Sequence, residues 1–328
     1  MILKRFLIPF LLLTVFLAAC TNTEDEAEQP STPDNETEEP AQENPETEEE
    51  DVPFEIVEAA DIEIAQLQGI GYPGNDDALY VATDQGLLMY KGDNWYETTS
   101  KKHDYFGFNA VEDGFISSGQ QGEAKLGIAK STDKGETLEY IAFKEVGQFP
   151  FLTAGYQTGI IYGINGDAST EMDPGLFRSA GEDAEFEPVP LNGFGADTLG
   201  MIAAHPTDAN KMAMATRSGI YLSEDKGNNM ELITEEIMVT ALAFTEGHLY
   251  YSSVENEKVL FHSISLETME SASIEIPFLA YDNPITYITG SQKNEGTLAF
   301  STYMRDLYQS ADFGESWENI LEKGSISN

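Results

Sequence analysis

Cysteine is all but missing from this chain: Cys20 is the only one in 328 residues. No internal disulfide can form, so folded stability has to come from packing. Bases are scarce as well. Lys and Arg number 17 against 58 Asp and Glu, a formal net charge of −41. That field repels polyanions, which excludes nucleic acid and disfavours anionic lipid as a partner; cations and cationic ligands are compatible with it. It also keeps a protein soluble in saline or alkaline surroundings. The four His (His103, His205, His248, His262) lie scattered, without metal-ligand spacing. His205 sits in "HPTD", a turn phrase with a structural reading. No G-x-S-x-G, P-loop or dinucleotide fingerprint occurs. No run after the N-terminus holds a 3.6-residue apolar period between caps, so helix is nearly absent.

What is present begins with an N-terminal leader. "MILKRF" carries Lys4 and Arg5, an apolar run extends from Phe6 to Phe16, and "LAAC" closes at Cys20. A basic n-region, a short apolar h-region and small residues before a cut describe a secretory signal peptide over 1–19. The run is short for a membrane span, which needs about 20 apolar residues. Cys after Leu17-Ala18-Ala19 resembles the lipobox of bacterial lipoproteins, which implies lipidation of Cys20 and a membrane anchor of more than one acyl chain. An ordinary signal peptide with an incidental Cys is the plainer alternative. Residues 20–52 come next as an acidic tether: positions 21–52 hold fourteen acids, four Pro and no Lys or Arg. Such a segment cannot bury enough apolar surface to order itself, and its charge extends it. Residues 53–328 form the folded domain. Removing those fourteen acids from the 58 leaves 44, against 15 bases once Lys4 and Arg5 are set aside.

Within the domain one phrase recurs: "STDKGETL" from Ser131, "SEDKGNNM" from Ser223 and "SADFGESW" from Ser310. Each sets Asp two places after Ser (Asp133, Asp225, Asp312), then Gly two places on (Gly135, Gly227, Gly314). A large apolar residue closes it (Leu138, Met230, Trp317). The starting Ser residues lie 92 and 87 residues apart, about twice a unit of 44–46. Weaker copies fill the gaps at Ser179 and at Ser263 or Ser265, and Gly92-Asp93 with Trp95 marks one more upstream. Each of the six units splits into four short β runs. The first reads "LQGIGY", "ALYVATD", "GLLMYKGD" and "WYETT". The pattern predicts an all-β, six-bladed propeller of four-stranded blades. The repeated phrase is then the turn between third and fourth strands, with Asp accepting backbone N–H groups and Gly supplying positive φ. Residues 54–60 fall outside the units and are expected to add a strand that helps close the ring.

The S-x-D-x-G-x-x-W grammar resembles the Asp-box, or BNR, repeat of sialidases, sortilin-type receptors and photosystem II assembly propellers. "AAHPTDANKMAMATRSGIYLSEDKG" at 203–227 is similar to the phrase of sortilin-like and exo-α-sialidase-like bacterial propellers. "GIGYPGNDDALYVATDQGLLMYKGDNWYE" is similar to the first blade of a Bacillus-type group of lipoproteins labelled glycosyl hydrolases by homology. The resemblance implies the fold; Asp boxes occur in enzymes and in binding modules alike. That lipoprotein group carries His just before the first Gly-Ile/Leu-Gly. This chain has Ala65-Gln66-Leu67-Gln68 there, so the corresponding metal site is not implied. Sialidase chemistry needs three convergent Arg. The domain has only Arg178, Arg217 and Arg305 in all, the Arg-Ile-Pro motif is absent, and Arg178 directly precedes a box copy.

In a blade, the turn between second and third strands shares an end with the links between blades, and the repeated turns lie at the opposite end. The links "KKHDYFGF", "KEVGQFPFL", "PLNGFGADT" and "PFLAYDNP" each carry an aromatic. Phe106, Phe149, Phe194 and Tyr281, with Asp84, Arg217 and Arg305 from the turns, are the candidate binding residues. The competing reading is that these rings seal the junctions between blades. Asp167, Glu171 and Asp173 share one loop that could hold Ca²⁺ or simply be solvated. No catalytic residue, metal site or cofactor is assigned. The sequence points to a monomeric, membrane-anchored, extracytoplasmic module that binds or assembles a protein or glycan. The alternative is a glycan-active hydrolase, whose two carboxylates are not singled out among 44 acids.

Overall fold

The computed structural model describes residues 52–166, 172–181, 185–197 and 200–326. Cys20, the leader, nearly all of the tether, Asp167 and Glu171 lie outside the described residues.

Six antiparallel sheets succeed one another along the chain, each ordered from first strand to last, giving a six-bladed β-propeller. The first blade is built from Leu67–Gly71, Leu79–Thr83, Gly86–Lys91 and Asn94–Thr98. The second runs Asp104–Val111, Gly114–Gln121, Ile128–Ser131 and Glu139–Ala142. The third has Phe151–Ala154, Ile161–Asn165, Gly175–Ser179 and Phe186–Pro188. The fourth has Ile202–Ala204, Met212–Thr216, Gly219–Ser223 and Glu231–Leu232. The fifth has Met238–Phe244, His248–Glu255, Lys258–Ser265 and Ser271–Ile274. The sixth has Ile285–Gly290, Leu298–Thr302, Leu307–Ser310 and Glu318–Leu321.

The burial pattern explains why these segments are strands. Second strands such as "LYVAT", "IYGIN" and "MAMAT" are buried at every position. A neighbouring blade covers each face, so apolar and small residues run without alternation. Outermost strands such as Ser271–Ile274 and Glu231–Leu232 are mostly exposed. The core is divided into six apolar clusters, each spanning one junction between adjacent blades. No disulfide is needed because every blade is packed on both sides.

The three full copies of the repeated phrase adopt one geometry. Gly135 N donates to Ser131 Oγ at 2.8 Å, Gly227 N to Ser223 Oγ at 2.8 Å and Gly314 N to Ser310 Oγ at 2.9 Å. Each Ser hydroxyl donates onward to its Asp, at 2.9, 2.9 and 2.8 Å. Each Asp also takes a backbone N–H and a side-chain donor from the residue four places on: Thr137, Asn229 and Ser316. The residue before each Gly also has positive φ: 66° at Lys134, 63° at Lys226 and 61° at Phe313. Two consecutive left-handed residues reverse the chain, and the Asp closes the loop behind them.

Ile56–Glu58 adds a fifth strand outside the first blade, antiparallel to Asn94–Thr98. The ring itself is closed by the segment between that strand and the first blade. Ile64 N donates to Gly324 O at 2.8 Å, Glu63 bridges Ser325, and Ala59, Ile62 and Ile64 pack with Leu307, Ile320 and Leu321. Trp95 Nε1 donates to Ile320 O at 3.3 Å. At the opposite end of the same seam, Lys293 meets Asp77 at 2.7 Å.

Candidate functional site

The innermost strands of all six blades enclose a central channel with a void of about 100 Å³. Its lining holds amides and hydroxyls such as Gln68, Asn109, Thr153 and Gln292 among apolar side chains. Among the described residues it holds no carboxylate, imidazole or amine. One carboxylate, Asp104, opens the first strand of the second blade. Gln68 Nε2 donates to one of its oxygens at 2.9 Å and Gln120 Nε2 to the other at 3.0 Å. Gln148 Nε2 in turn donates to Gln120 Oε1 at 3.1 Å. Asp104 thus works as the acceptor of an amide chain joining the first blade, the second blade and the link into the third.

The predicted binding residues do not form one ring. Phe149 is 0% exposed and seals the junction between second and third blades. Its ring lies 5.2 Å from that of Phe143, and its backbone N donates to Ser118 Oγ. Glycines make the room: a Cβ at Gly107 would come within 2.2 Å of Phe149 O, and one at Gly163 within 2.9 Å of its ring. This corrects the expectation of a surface ring, because Gly147 and Phe149 of that link are buried. Phe106 is half-buried within a strand, at the irregularity between Tyr105 and Phe108, and not in a link. Phe194 is also displaced from the expected end. Its link descends beside the repeated turn of the fourth blade, with Leu191 N on Gly227 O and Met230 N on Asn192 O. The Phe194 ring then rests 4.8 Å from Tyr221.

Asp84 accepts from Gln66 N at 3.1 Å and so ties its turn to the start of the first blade. Arg217 is exposed at the equivalent turn of the fourth blade. Arg305 has φ of 68°, and its guanidinium reaches Ala65 O at 3.4 Å across the closing seam. Asp173 is exposed, and its carbonyl accepts from Asn165 Nδ2. No group of three or more metal-type donors exists among the described residues. Burial lowers the pKa of His103, His205 and His262, which keeps their rings neutral.

Tyr281 is different. It is 60% exposed on the link into the sixth blade, three residues after Phe278 at 91%. The turn between the sixth blade's second and third strands adds Tyr303 at 68% and Met304 at 37%. The two loops are locked together. Tyr303 N donates to Pro284 O at 2.9 Å, and Met304 N to Asn283 Oδ1 at 2.7 Å. Beneath them the buried Asn283 gives its Nδ2 to Asp306 Oδ2 at 2.9 Å. Asp306 also takes Thr302 Oγ1 at 3.1 Å and Lys323 N at 2.9 Å. Phe278, Met304 and the Asn283–Asp306 pair were not singled out from sequence. The signal was available in "PFLAYDNP", where a Phe precedes an Asn-Pro that leads into a strand.

No protein-family model matches the chain, and no curated protein matches it. Solved structures do. A xyloglucanase of glycoside hydrolase family 74 from Xanthomonas campestris is 16% identical, with a TM-score of 0.52 over 82% of this chain and 47% of that one. The family 74 enzyme of Niastella koreensis is 15% identical, with a TM-score of 0.54 over 81% and 47%. A chain of a nidogen/laminin complex is 8% identical, with a TM-score of 0.52 over 71% and 88%. The chain spans less than half the length of those two enzymes. At these identities the likeness is one of fold, and propellers with this fold include both enzymes and protein-binding chains.

Proposed function

We propose that this chain is a lipid-anchored, extracytoplasmic propeller of the Asp-box type that works as a binding or assembly module for a protein or glycan. The observation that carries the reading is the exposed pair Tyr281 and Tyr303 on hydrogen-bonded loops at the link end of the sixth blade, with the exposed Phe278 on the same link. Exposed rings on such loops gain free energy when something covers them. A signal peptide over 1–19, Cys20 as lipid attachment point and the acidic tether would attach the domain to a membrane surface. The fold likeness to family 74 enzymes supports a glycan hydrolase as the second reading. That chemistry requires two carboxylates across a cleft, whereas Asp104 has both its oxygens engaged by Gln side chains.

The test compares the soluble domain 53–328 with a variant carrying Phe278→Ala, Tyr281→Ala and Tyr303→Ala. Both are immobilised and exposed to solubilised membranes and to a glycan array. Capture by the parent and not by the equally well folded variant supports the module. Equal capture by both removes it. Turnover of an array glycan by both proteins puts the chain with the hydrolases instead.

A further inference from the structure

We propose that the Tyr281–Tyr303–Met304 surface, with Phe278 on the same link, takes a cationic peptide segment of a protein partner, a proposal that rests on the binding-module reading above. Three features of the site define that occupant.

The first is composition. Phe, Tyr, Met and Arg are the residue types enriched at the centres of protein interfaces, where Lys, Glu, Asp, Ser and Ala are depleted. Within two short loops the sixth blade gathers Phe278, Tyr281, Tyr303 and Met304, with Arg305 adjoining. A fully presented Phe and a Met are anchors for apolar side chains. A sugar site also needs polar groups beside its ring to fix the hydroxyls. Here Asn283 and Asp306 are buried and spent on each other and on the backbone, which leaves Asp282 as the one exposed polar side chain between Tyr281 and Asn283.

The second feature is preorganisation. The Asn283–Asp306 pair fixes both loops before any partner arrives, so little ordering entropy remains to be lost on association. The exposed rings are therefore a built surface, unlike the rings that pack inward on the other links.

The third is charge. The domain carries 44 acids against 15 bases, so its long-range field draws cations. On the link end, the loops entering and topping the fifth blade hold Glu235, Glu236 and Glu257, and the patch's own link holds Asp282, all exposed. Lys258 stands beside Glu257, the exposed Lys323 lies beside the patch with its ammonium 3.8 Å from Glu322, and the Arg305 guanidinium is turned to Ala65 O at the seam. A basic segment with one or two apolar anchors complements both the rings and the acidic balance of the domain. An acidic one would oppose the field.

The experiment measures binding of defined twelve-residue peptides to the soluble domain by fluorescence anisotropy. One set mixes Lys and Arg with Phe, Leu and Tyr. Its counterpart replaces every base by Glu. A xyloglucan oligosaccharide and the domain's own self-association by ultracentrifugation complete the comparison. The proposal expects the basic set to bind at least tenfold more tightly than the acidic set and to weaken as salt rises from 50 to 200 mM. It also expects at least a tenfold loss in the Tyr281→Ala/Tyr303→Ala protein, with an unchanged melting temperature. Equal binding of both peptide sets through the rings overturns the cationic partner and leaves the binding face standing. Ring-dependent binding of the oligosaccharide alone, or a ring-dependent dimer, also overturns the peptide and keeps the face. No ring-dependent binding of any kind overturns both.

Discussion

His205 on the fourth blade gives its Nε2 proton to the carbonyl of Glu246 on the fifth, 3.1 Å away. Its Nδ1 receives the N–H groups of Thr207 at 3.2 Å and Asp208 at 3.0 Å. Two N–H donors on Nδ1 require that nitrogen to be unprotonated, so the ring is the neutral Nε2–H tautomer. Burial, which disfavours the imidazolium, is the main cause of its lowered pKa.

A His whose folded-state pKa is depressed adds stability above its unfolded value, about 6.5, and loses it as pH falls to the folded value. The melting temperature is therefore expected to be flat above pH 7 and to fall below about 6.5. His205→Asn keeps an acceptor near the turn but does not titrate, so its curve should be shallower over that window. His103 and His262 share the same direction and supply the remainder. Identical slopes in parent and variant would show that His205 contributes nothing to the pH dependence.

The repeated turns give a second prediction. Ser310→Ala leaves the buried Gly314 N–H without its acceptor, a loss of about 1–3 kcal/mol. Asp312→Ala should lower the melting temperature as well, since Ser316 donates to Asp312 through both backbone and side chain. Asp93 sits in a two-residue turn with φ of 64°, after Gly92 at 57°. Asp93→Gly should be nearly neutral there, because Gly adopts that conformation without strain. Calorimetry on the three variants checks the order. A larger effect at Asp93 than at Ser310 would contradict it.

The Ser-x-Asp-x-Gly turns were legible in the sequence because each is local: every donor and acceptor lies within six residues of its Ser, and spacing alone reports it. Blade number came from the repeat period. The link rings were not legible. Phe149 and Tyr281 are both aromatics in links, yet one is core and the other is surface. Their fates depend on Gly107 and Gly163, which open a slot for Phe149, and on Asp306, which fixes the loop beside Tyr281. Those partners come from other strands and from a distant turn, and no spacing rule connects them.

Asp76 shows the same long-range logic. Its carboxylate, 6% exposed, takes Lys91 at 2.9 Å from its own blade and Lys134 at 2.7 Å from the repeated turn of the second. Burial alone would raise its pKa, but the two ammonium groups outweigh that and hold it far below the usual carboxylate range. The contribution is present above about pH 4 and is lost as pH falls toward that depressed value. Asp76→Asn should cost about 1–2 kcal/mol, limited because the lysine ends reach water. Urea melts at pH 7 and in strong acid test it: the gap between parent and variant should narrow in acid.

Cys20→Ala addresses the proposed anchor. The variant should lose metabolic labelling by a fatty acid and leave the membrane fraction. Persistent labelling would place the lipid elsewhere or exclude it.

Phe149→Ala separates the two kinds of link aromatic. The ring is fully buried against Phe143, Leu152 and Gly163 between two blades. Its removal leaves a cavity that close-packed strands cannot fill, a cost of about 3–5 kcal/mol. For a domain of this size that is a fall in melting temperature on the order of 10 °C. Tyr281→Ala removes a ring that is mostly in water, so its melting temperature should stay within about 1 °C of the parent. The binding assays should show the reverse order. Phe149→Ala, measured at a temperature where it is folded, should retain ligand, and Tyr281→Ala should lose it. Equal melting shifts in the two variants would mean that the sixth-blade loops lean on Tyr281 for stability. Its exposure would then be a by-product of packing, with no tie to a partner.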